Sequence, residues 1–469
     1  MKIVNKLRYS NGARLGLCVA TCLLASRVAH AEVELADKDG WTFSFDGRVN
    51  SFVSGGFGDG LPEATRVPGA LPTDPPHHTV MGESSSAGLG VPNAGWNPNY
   101  GQTDVNNNFV NIRVRSGMYG NILGFGIARK VNDTTTIKGY ISIWSTVESL
   151  AQDKWAPVVP EAREGHLTVT GNWGSVRVGR QLGWVGRQSY EIDTAYGHGF
   201  GVGLPCTDAL GPACGHIGTG AIFPGYGAAV VYSTPSLGGL RIHAGAYDPS
   251  VYGAGSWTHA EWLRPEGSIT FDRPIGETAR IKFGVEGFWQ QMARSVTDPT
   301  TMSDLKETTS VWGASGGLRV EAGPIRLGLS GFRGKGLGLF YTLQRSNAVA
   351  DPVEDQTHAI RMFTGFYAQS ALVFGRLRLA GGFGMSTVDQ TANDKINSML
   401  SVIRYQRGIS GGIFYNATDS IVLGFDYFNF AAGWWGAPTV DPTTMTVNGK
   451  LAGEKQLINF ASAGVTYYW

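Results

Sequence analysis

The residues of this chain with the greatest potential for chemistry are its histidines, a glycine-rich stretch at 328–335 and a close pair of cysteines. No histidine after residue 31 belongs to an HExxH motif or to another spacing that would place two imidazoles on one metal ion. A phosphate-binding loop has Ser or Thr after its lysine, whereas Gly336 follows Lys335. We therefore expect no enzyme, no metal site and no cofactor.

The N-terminal segment has the three parts of a secretory signal peptide. Lys and Arg residues precede an apolar run at 15–25, which is too short to span a bilayer. Ala29 and Ala31 then place small residues at a cleavage site before Glu32. We expect a signal peptide at 1–31 and an exported domain at 32–469. Acylation of Cys22, as in a lipoprotein, is the alternative.

Cys206 and Cys214 stand apart from the two signal-peptide cysteines, with seven residues between them. Two interpretations are open, a disulfide and a metal site. Disulfides persist in exported proteins, and no further Cys or His stands at ligand spacing beside this pair. The sequence therefore favours a Cys206–Cys214 disulfide.

Composition separates this chain from a string of soluble domains. Of 469 residues, 67 are glycine, about twice the usual share of roughly 7%. Aromatic residues reach 11% while charged residues are only 16%, so the glycine does not indicate disorder. The signal carries five of the 38 Lys and Arg residues and none of the 37 Asp and Glu residues. The remaining net charge of −4 argues against a nucleic-acid partner.

Apolar and polar residues alternate with period two along much of the chain. In the first such stretch, Phe43 and Val49 lie on one face of a strand, and Asp46 and Arg48 lie on the other. The pattern returns at 137–147, 279–290, 325–331 and 376–385. It predicts an all-β chain, either a membrane barrel or an antiparallel sandwich with one solvated face.

Connections of two lengths distinguish these folds. Seven short ones lie near 132–133, 171–174, 235–239, 273–276, 321–324, 374–376 and 416–419. Eight longer ones lie near 54–107, 150–163, 182–227, 249–258, 293–309, 335–358, 388–398 and 432–455. They alternate and join sixteen strands, with every long loop at one end, which is the layout of outer-membrane barrels. We expect a transmembrane antiparallel β-barrel of sixteen strands, embedded in outer-membrane lipid.

Five segments, in order, carry a resemblance to a known family. They are DKDGWTFSFDGRV at 37–49, LGFGIARKVNDTTTIKGYISI at 123–143, REGHLTVTGNWGSVRVGRQ at 163–181, VVYSTPSLGGLRIHAGAY at 230–247 and GVTYYW at 464–469. Together they resemble the trimeric, sixteen-stranded general porins of Gram-negative outer membranes. The resemblance implies a homotrimeric channel for small hydrophilic solutes. It also implies a C-terminal signal, Tyr467 and Trp469, that the barrel-insertion machinery reads, although this family usually ends in Phe.

The resemblance also implies where the channel narrows. The family folds its third loop inward, and here that loop is 182–227, which contains the cysteine pair. Its acids, Glu191, Asp193 and Asp208, are expected at the constriction, opposite basic residues of the wall.

Arg48 and Arg163 match basic wall positions of the family. Strand parity directs Arg48 into the lumen but leaves the direction of Arg163 open. Two other positions that are arginine in relatives are not basic here. This implies either a weaker transverse field or one rebuilt from Arg113, Arg115 or Arg177.

Other charged residues are expected away from the constriction. Arg180 shares parity with Val176 and Val178, so we expect it to face outward, at the trimer interface that the resemblance implies, with Glu161 or Glu164 as partner. Basic residues close to short turns are expected at the periplasmic mouth of the channel. They are Arg241, Arg280, Lys282, Arg326 and Arg378.

Three functions remain open on the sequence alone. The first is passive diffusion of small hydrophilic solutes and ions. The second is a sugar-selective porin, because the aromatic residues Trp144, Tyr247 and Phe288 have inward parity and could stack on sugar rings. The third is a barrel scaffold whose long loops, at 54–107 and 182–227, mediate adhesion or binding.

Overall fold

The protein is represented by a computed structural model. It describes residues 33–59, 108–118, 120–148, 160–194, 213–251, 257–297, 304–343, 353–355, 357–397, 403–435, 438–440, 447–450 and 455–469. The expected signal peptide, most of the first long loop, Cys206 and Asp208 lie outside the described residues.

The described chain is almost entirely β-structure. The strands are β1 Val33–Lys38, β2 Trp41–Asp59, β3 Asn108–Arg115, β4 Asn121–Asn132, β5 Thr135–Ser145, β6 Glu161–Gly171, β7 Gly174–Leu182, β8 Tyr226–Ser233, β9 Leu240–Tyr247, β10 Arg264–Ile275, β11 Ala279–Thr297, β12 Asp304–Ala322, β13 Ile325–Lys335, β14 Met362–Phe374, β15 Leu377–Val388, β16 Ile403–Asn416, β17 Ile421–Trp434, β18 Pro438–Val440, β19 Val447–Lys450 and β20 Lys455–Tyr468. Two short helices are α1 Gln188–Glu191 and α2 Ala392–Asn397. Neither helix, at four and six residues, is long enough to cross a membrane.

The strands form a closed antiparallel barrel of sixteen strands, as predicted. From β4 to β17 each strand pairs with the next one in sequence, and β17 pairs with β20. β2 pairs with β20 from Arg48↔Tyr468 to Gly58↔Ile458, which closes the sheet. β3 and β4 both pair with the same side of β2, so they count as one strand that is interrupted at 116–120. β1 adds a short hairpin to the start of β2.

Side chains alternate across the barrel wall. On β2, Val49, Val53 and Phe57 are exposed on the outside, while Asn50 and Ser54 are buried inside. Exposed aliphatic and aromatic side chains continue around the outside of the barrel, where lipid would cover them. The alternation read from the sequence is therefore the difference between the lipid face and the lumen face.

The expected alternation of short and long connections is confirmed at the ends of the strands. Gly276, Gly323 and Gly375 occupy short turns with φ between 53° and 61°, a left-handed conformation that favours glycine. The bounds differ most at two connections. β2 stays paired to Asp59↔Asn108, so the connection expected from residue 54 begins at 60. β11 and β12 stay paired to Thr297↔Asp304, so the expected connection at 293–309 shortens to 298–303. The upper part of this hairpin is polar, so backbone pairing continues where the apolar alternation has ended.

Two long connections contact the inner wall. They are the β7–β8 connection, described at 183–194 and 213–225, and the β13–β14 connection, described at 336–343, 353–355 and 357–361. One cluster of buried apolar side chains joins them to the strands. It includes Phe288, Met292, Phe332, Phe363, Phe428 and Phe460 of the wall, Val185, Ile217 and Ile222 of the first connection, and Leu337, Phe340 and Val353 of the second.

Wall glycines make room for this packing. A Cβ on Gly284 would lie 2.3 Å from the Gln188 side chain, and one on Gly317 would lie 3.0 Å from the Gln188 Cβ atom. A Cβ on Gly328 would lie 3.0 Å from the Ile192 carbonyl oxygen. Part of the high glycine content therefore forms a smooth patch of wall against which α1 lies.

Candidate channel constriction

The first residues of the β7–β8 connection are hydrogen-bonded to two carboxylates of the barrel wall. The Trp184 main-chain N–H donates to Glu266 Oε2 at 2.8 Å. The Gly186 main-chain N–H donates to Glu286 Oε2 at 3.1 Å and to Ser315 Oγ at 2.7 Å. Buried main-chain donors need partners, so these side chains fix the course of the connection.

Glu191, at the end of α1, pairs with two cations. Its Oε1 atom lies 2.5 Å from Arg187 Nε, and its Oε2 atom lies 3.0 Å from Lys282 Nζ of β11. Burial opposes ionisation of the Glu191 carboxyl, but the charges of Arg187 and Lys282 outweigh it and hold its pKa below the usual value. Lys282, which we expected at the periplasmic mouth, is also a wall partner of this acid.

Asp193 is buried against the next part of the wall. Its main-chain oxygen accepts a hydrogen bond from Arg319 Nη1 at 2.9 Å, and its carboxylate interacts electrostatically with Arg378. The adjacent Thr194 donates its main-chain N–H to Gln369 Oε1. Arg378, also expected at the mouth, is therefore a neighbour of an acid on the connection.

The second described part of the connection, 213–225, crosses to other strands. The Ala213 main-chain N–H donates to the Ser116 oxygen at 2.9 Å, and the Gly220 N–H donates to Ser386 Oγ at 2.8 Å. Gly220 has φ +106°, and a Cβ there would lie 2.1 Å from the Phe366 oxygen. The backbone of the connection thus touches the backbone of the wall.

Cys214 is buried and disulfide-bonded. Its expected partner Cys206 and the acid Asp208 lie outside the described residues. His216, two residues on, has Nε2 at 2.8 Å from Ser410 Oγ. Burial lowers the pKa of His216 to about 3, so its imidazole is neutral at physiological pH.

Arg48, Arg113 and Arg115 all have inward parity on the neighbouring strands β2 and β3. Arg48 Nε donates to the Gly120 oxygen at 3.4 Å. Arg115 is fully buried and donates from Nη2 to Asn111 Oδ1 at 2.9 Å. Arg48 and Arg113 are half-buried, so they retain surface on the lumen, whereas Arg115 is enclosed in the wall.

Arg177 is half-buried on the inner face of β7, where its Nε atom donates to Thr168 Oγ1 at 3.2 Å. It also interacts electrostatically with Glu164, which is half-buried. Glu164 therefore lies on the lumen side, while Arg180 is exposed with Val178 on the outer face. Of the two acids considered as partners for Arg180, Glu164 faces away from it.

A β-bulge decides the direction of Arg163. Ser142 pairs with Glu164 and Ile143 pairs with Ala162, so Arg163 is the extra residue of β6. Its guanidinium carbon lies 3.8 Å from the centre of the Trp144 ring, and its Nε atom lies 3.1 Å from Glu161 Oε2. Parity counting left its direction open because the register changes at this residue.

The C-terminal residues form a small aromatic group at the seam of the barrel. Tyr467 is exposed on the outer face, with its ring 5.7 Å from that of Trp469. The Trp469 main-chain N–H donates to the Gly47 oxygen at 3.2 Å. A Cβ on Gly47 would lie 2.4 Å from the Trp469 ring, so this glycine leaves space for the terminal indole.

Sequence reasoning missed several residues of this site. Arg187 carried no signal in the sequence, whereas Glu286 had inward parity within an otherwise apolar and aromatic stretch, which could have indicated an anchor. The structure shows this side chain to be buried. The aromatic residues suggested for sugar stacking are also corrected: Tyr247 and Phe288 are buried in apolar clusters and cannot reach a solute. Within the described ranges, no group of three or more His, Cys, Asp or Glu side chains is placed to hold a metal ion.

The chain is similar in structure to outer-membrane channels of known fold. One is the outer membrane channel DcaP of Acinetobacter baumannii, at 12% identity and a TM-score of 0.58, over 93% of this chain and 100% of that chain. Another is the anion-selective porin from Comamonas acidovorans, at 12% identity and a TM-score of 0.51, over 92% and 100%. At these identities the likeness concerns the fold. No curated protein sequence matches the chain.

Family assignment comes from the sequence. The family model for the Gram-negative porin matches residues 17–330, which is more than half of the chain and covers the strands that carry Arg48, Arg163 and Lys282. A closed sixteen-stranded barrel with charged residues on its inner face agrees with this match. The chain belongs to the Gram-negative porin family.

Proposed function

We propose that this protein is a general diffusion porin of the outer membrane, narrowed by an inward-folded third loop, the β7–β8 connection. Its family makes it a channel for passive diffusion, and a barrel of sixteen strands has room for a water-filled lumen. The observation that carries the proposal is the anchoring of the connection to wall side chains, through Gly186 to Glu286 and through Glu191 to Lys282. In this proposal small hydrophilic solutes pass unchanged, without catalysis or cofactor.

The charge arrangement supports a constriction of mixed sign. Glu191 stands on the connection with its side chain 25% exposed, and the expected Asp208 would add to it, whereas Asp193 is buried against the wall. Arg48, Arg113 and Arg177 retain lumen surface on the wall. Charges of opposite sign across a narrow aqueous gap create a transverse field that orients polar solutes and disfavours apolar ones.

Planar-bilayer recording of the purified protein tests this function. We expect stepwise, ohmic current increments. Glu286→Ala should change the unit conductance, because it removes the carboxylate that accepts hydrogen bonds from both the Gly186 N–H and Ser315 Oγ and so weakens the anchoring of the connection. The matched control is Glu277→Ala, an exposed acid in the turn between β10 and β11. A protein that inserts without any ohmic current would overturn the proposal.

A homotrimer is proposed from the outward arginine. Arg180 is exposed on the outer face of the single chain, and a basic side chain at the middle of the lipid band costs about 2–4 kcal/mol. Contact with another copy of the chain would remove that cost. Arg180→Glu should therefore convert a detergent-resistant trimer into monomers in native electrophoresis, whereas Arg273→Glu, an exposed residue near a short turn, should not. An unchanged trimer in the first variant would count against this interface.

The two ends of the chain are proposed to serve export and membrane insertion. Residues 1–31 would direct the chain through the inner membrane, and the outward Tyr467 with Trp469 would be the signal that the barrel-insertion machinery reads. Deletion of Trp469 should lower the amount of folded barrel in the outer membrane of cells, while refolding in detergent persists. Equal assembly of the two forms in cells would contradict this role.

A further inference from the structure

Arg163 is surrounded by aromatic rings from three parts of the chain. The Arg163 cluster consists of Trp144 and Tyr226 on the wall, Phe223 on the β7–β8 connection, Tyr341 on the β13–β14 connection and Arg163 itself. The guanidinium carbon lies 3.8 Å from the ring centre of Trp144, 5.6 Å from that of Tyr226 and 5.9 Å from that of Phe223. The rings of Phe223 and Tyr341 are 6.0 Å apart and almost perpendicular.

Backbone contacts hold the two connections together at this point. The Phe223 N–H donates to the Phe340 oxygen, and the Thr342 N–H donates to the Phe223 oxygen, both at 2.8 Å. The β-bulge in β6 directs Arg163 towards them. The cluster is therefore built by fixed backbone on both sides rather than by the chance approach of mobile side chains.

The cluster remains accessible from the lumen. All five side chains are half-buried, in contrast to the enclosed Arg115 and Tyr247. The Arg163 side chain is 22% exposed, and its partner Glu161 is 48% exposed. Ion pairs with such an exposed member contribute little, so a carboxylate from solution can take the place of Glu161 on the guanidinium.

We propose that the Arg163 cluster is a binding subsite for solutes that combine a carboxylate with an aromatic ring. The guanidinium would bind the carboxylate, and the solute ring would pack against Phe223 and Tyr226, whose rings favour tilted aromatic contacts. Sugars fit less well, because Arg163 already covers the indole face of Trp144 on which a sugar would stack. The subsite deepens the proposed channel function and rests on it.

Three solutes distinguish the contribution of the carboxylate from that of the aromatic ring in single-channel recordings. Benzoate has both groups, acetate has only the carboxylate, and benzyl alcohol has only the ring. We expect benzoate to reduce the open-channel current saturably, with a half-blocking concentration about fivefold below that of acetate, and benzyl alcohol to have no saturable effect. Ohmic current with equal block by benzoate and acetate overturns the subsite while leaving the channel intact. Absence of ohmic current overturns the channel and the subsite together.

Substitutions in the Arg163 cluster test whether benzoate blocks the current at this site. Phe223→Leu should remove the difference between benzoate and acetate, and Arg163→Lys should weaken the block by benzoate, since an ammonium lacks the planar fork of a guanidinium. Arg326→Lys, near a short turn and paired with Glu321 at 3.4 Å, is the matched control and should leave both blocks unchanged. Benzoate block that survives in both cluster variants would place the subsite elsewhere and overturn the proposal.

Discussion

The Lys282 ammonium of β11 lies 3.0 Å from the Glu191 carboxylate of the β7–β8 connection. The ion pair joins the barrel wall to the connection, and Arg187 holds the other carboxylate oxygen. Glu191 is therefore part of a group with two cations and one anion. Replacing either cation changes the local charge balance as well as the anchoring of the connection.

Lys282→Gln should shift ion preference towards cations. Without the ammonium, the charge of Glu191 is balanced by Arg187 alone, and we expect the ratio of anion to cation permeability to fall about twofold, as a screened charge interaction of ~0.4 kcal/mol would give. The reversal potential in a salt gradient measures this ratio. Lys130→Gln, whose side chain is 63% exposed beside a short turn, is the control. Identical reversal potentials for wild type and Lys282→Gln would refute the role.

Gly384→Ala should displace the connection from the wall. A Cβ at Gly384 would lie 2.1 Å from the Thr219 oxygen, so the backbone at 219–220 must move and the Gly220–Ser386 hydrogen bond should break. We expect an altered unit conductance with the barrel still folded. Gly411→Ala on the outer face, where nothing lies within 4 Å of a Cβ, should behave as wild type. The same conductance in both variants would show that this contact is dispensable.

Loss of the disulfide at Cys214 should loosen the connection without unfolding the barrel. If the bridge closes the short loop to Cys206, the chain-entropy model gives it roughly 2.5 kcal/mol of local constraint. Cys214→Ser should therefore increase open-channel current noise, and reductant should produce the same noise in wild type but no change in the variant. Thermal denaturation of the barrel should shift little. Quiet channels in the reduced wild type would argue against a constraining bridge.

Protonation of Asp355 at low pH should break the hydrogen bonds that hold the β13–β14 connection in place. Burial raises the pKa of this carboxyl, but hydrogen bonds from Thr391, Thr357 and Ala359 outweigh it and hold the pKa below its ordinary value of 3.8. A lowered pKa in the folded state means that the stabilisation is complete above pH 3.8 and is lost as pH falls through the folded value. Hydrogen exchange at 353–361, corrected for the intrinsic pH effect, should therefore rise only below pH 3.8.

Two variants test that assignment. Asp355→Asn should show fast exchange of the connection already at pH 5, because the amide cannot accept the same set of hydrogen bonds. Asp389→Asn, an acid that is 54% exposed and 4.0 Å from Arg333, should retain the wild-type profile. If Asp355→Asn exchanges as slowly as wild type at pH 5, another group holds the connection.

Much of the barrel could be predicted from sequence because its physics is local. Lipid on one face and water on the other impose period-two alternation, which directed Arg48 inward and Arg180 outward. The prediction failed where that contrast ends. In the upper part of β11 and β12 both faces carry polar residues, so the sequence shows no apolar–polar alternation there. The backbone pairing nevertheless continues to Thr297 and Asp304.

The constriction was less predictable because it depends on tertiary contacts. A bulge of one residue set the direction of Arg163, and no composition or spacing marks a bulge in advance. Lys282 and Arg378 were assigned by their distance from a turn. Their neighbours instead depend on the path of a connection that starts 99 and 195 residues earlier in the chain. The acids Glu191 and Asp193 were found because a family resemblance pointed to their loop.

The paired strands β11 and β12 extend well beyond the lipid band. Nineteen residues each, at about 3.4 Å per residue and a tilt of roughly 40°, rise about 50 Å, against an apolar band of about 25 Å. On an intact cell this hairpin would project beyond the surface of the surrounding membrane. A short epitope inserted at 298–303 should therefore bind its antibody on intact cells.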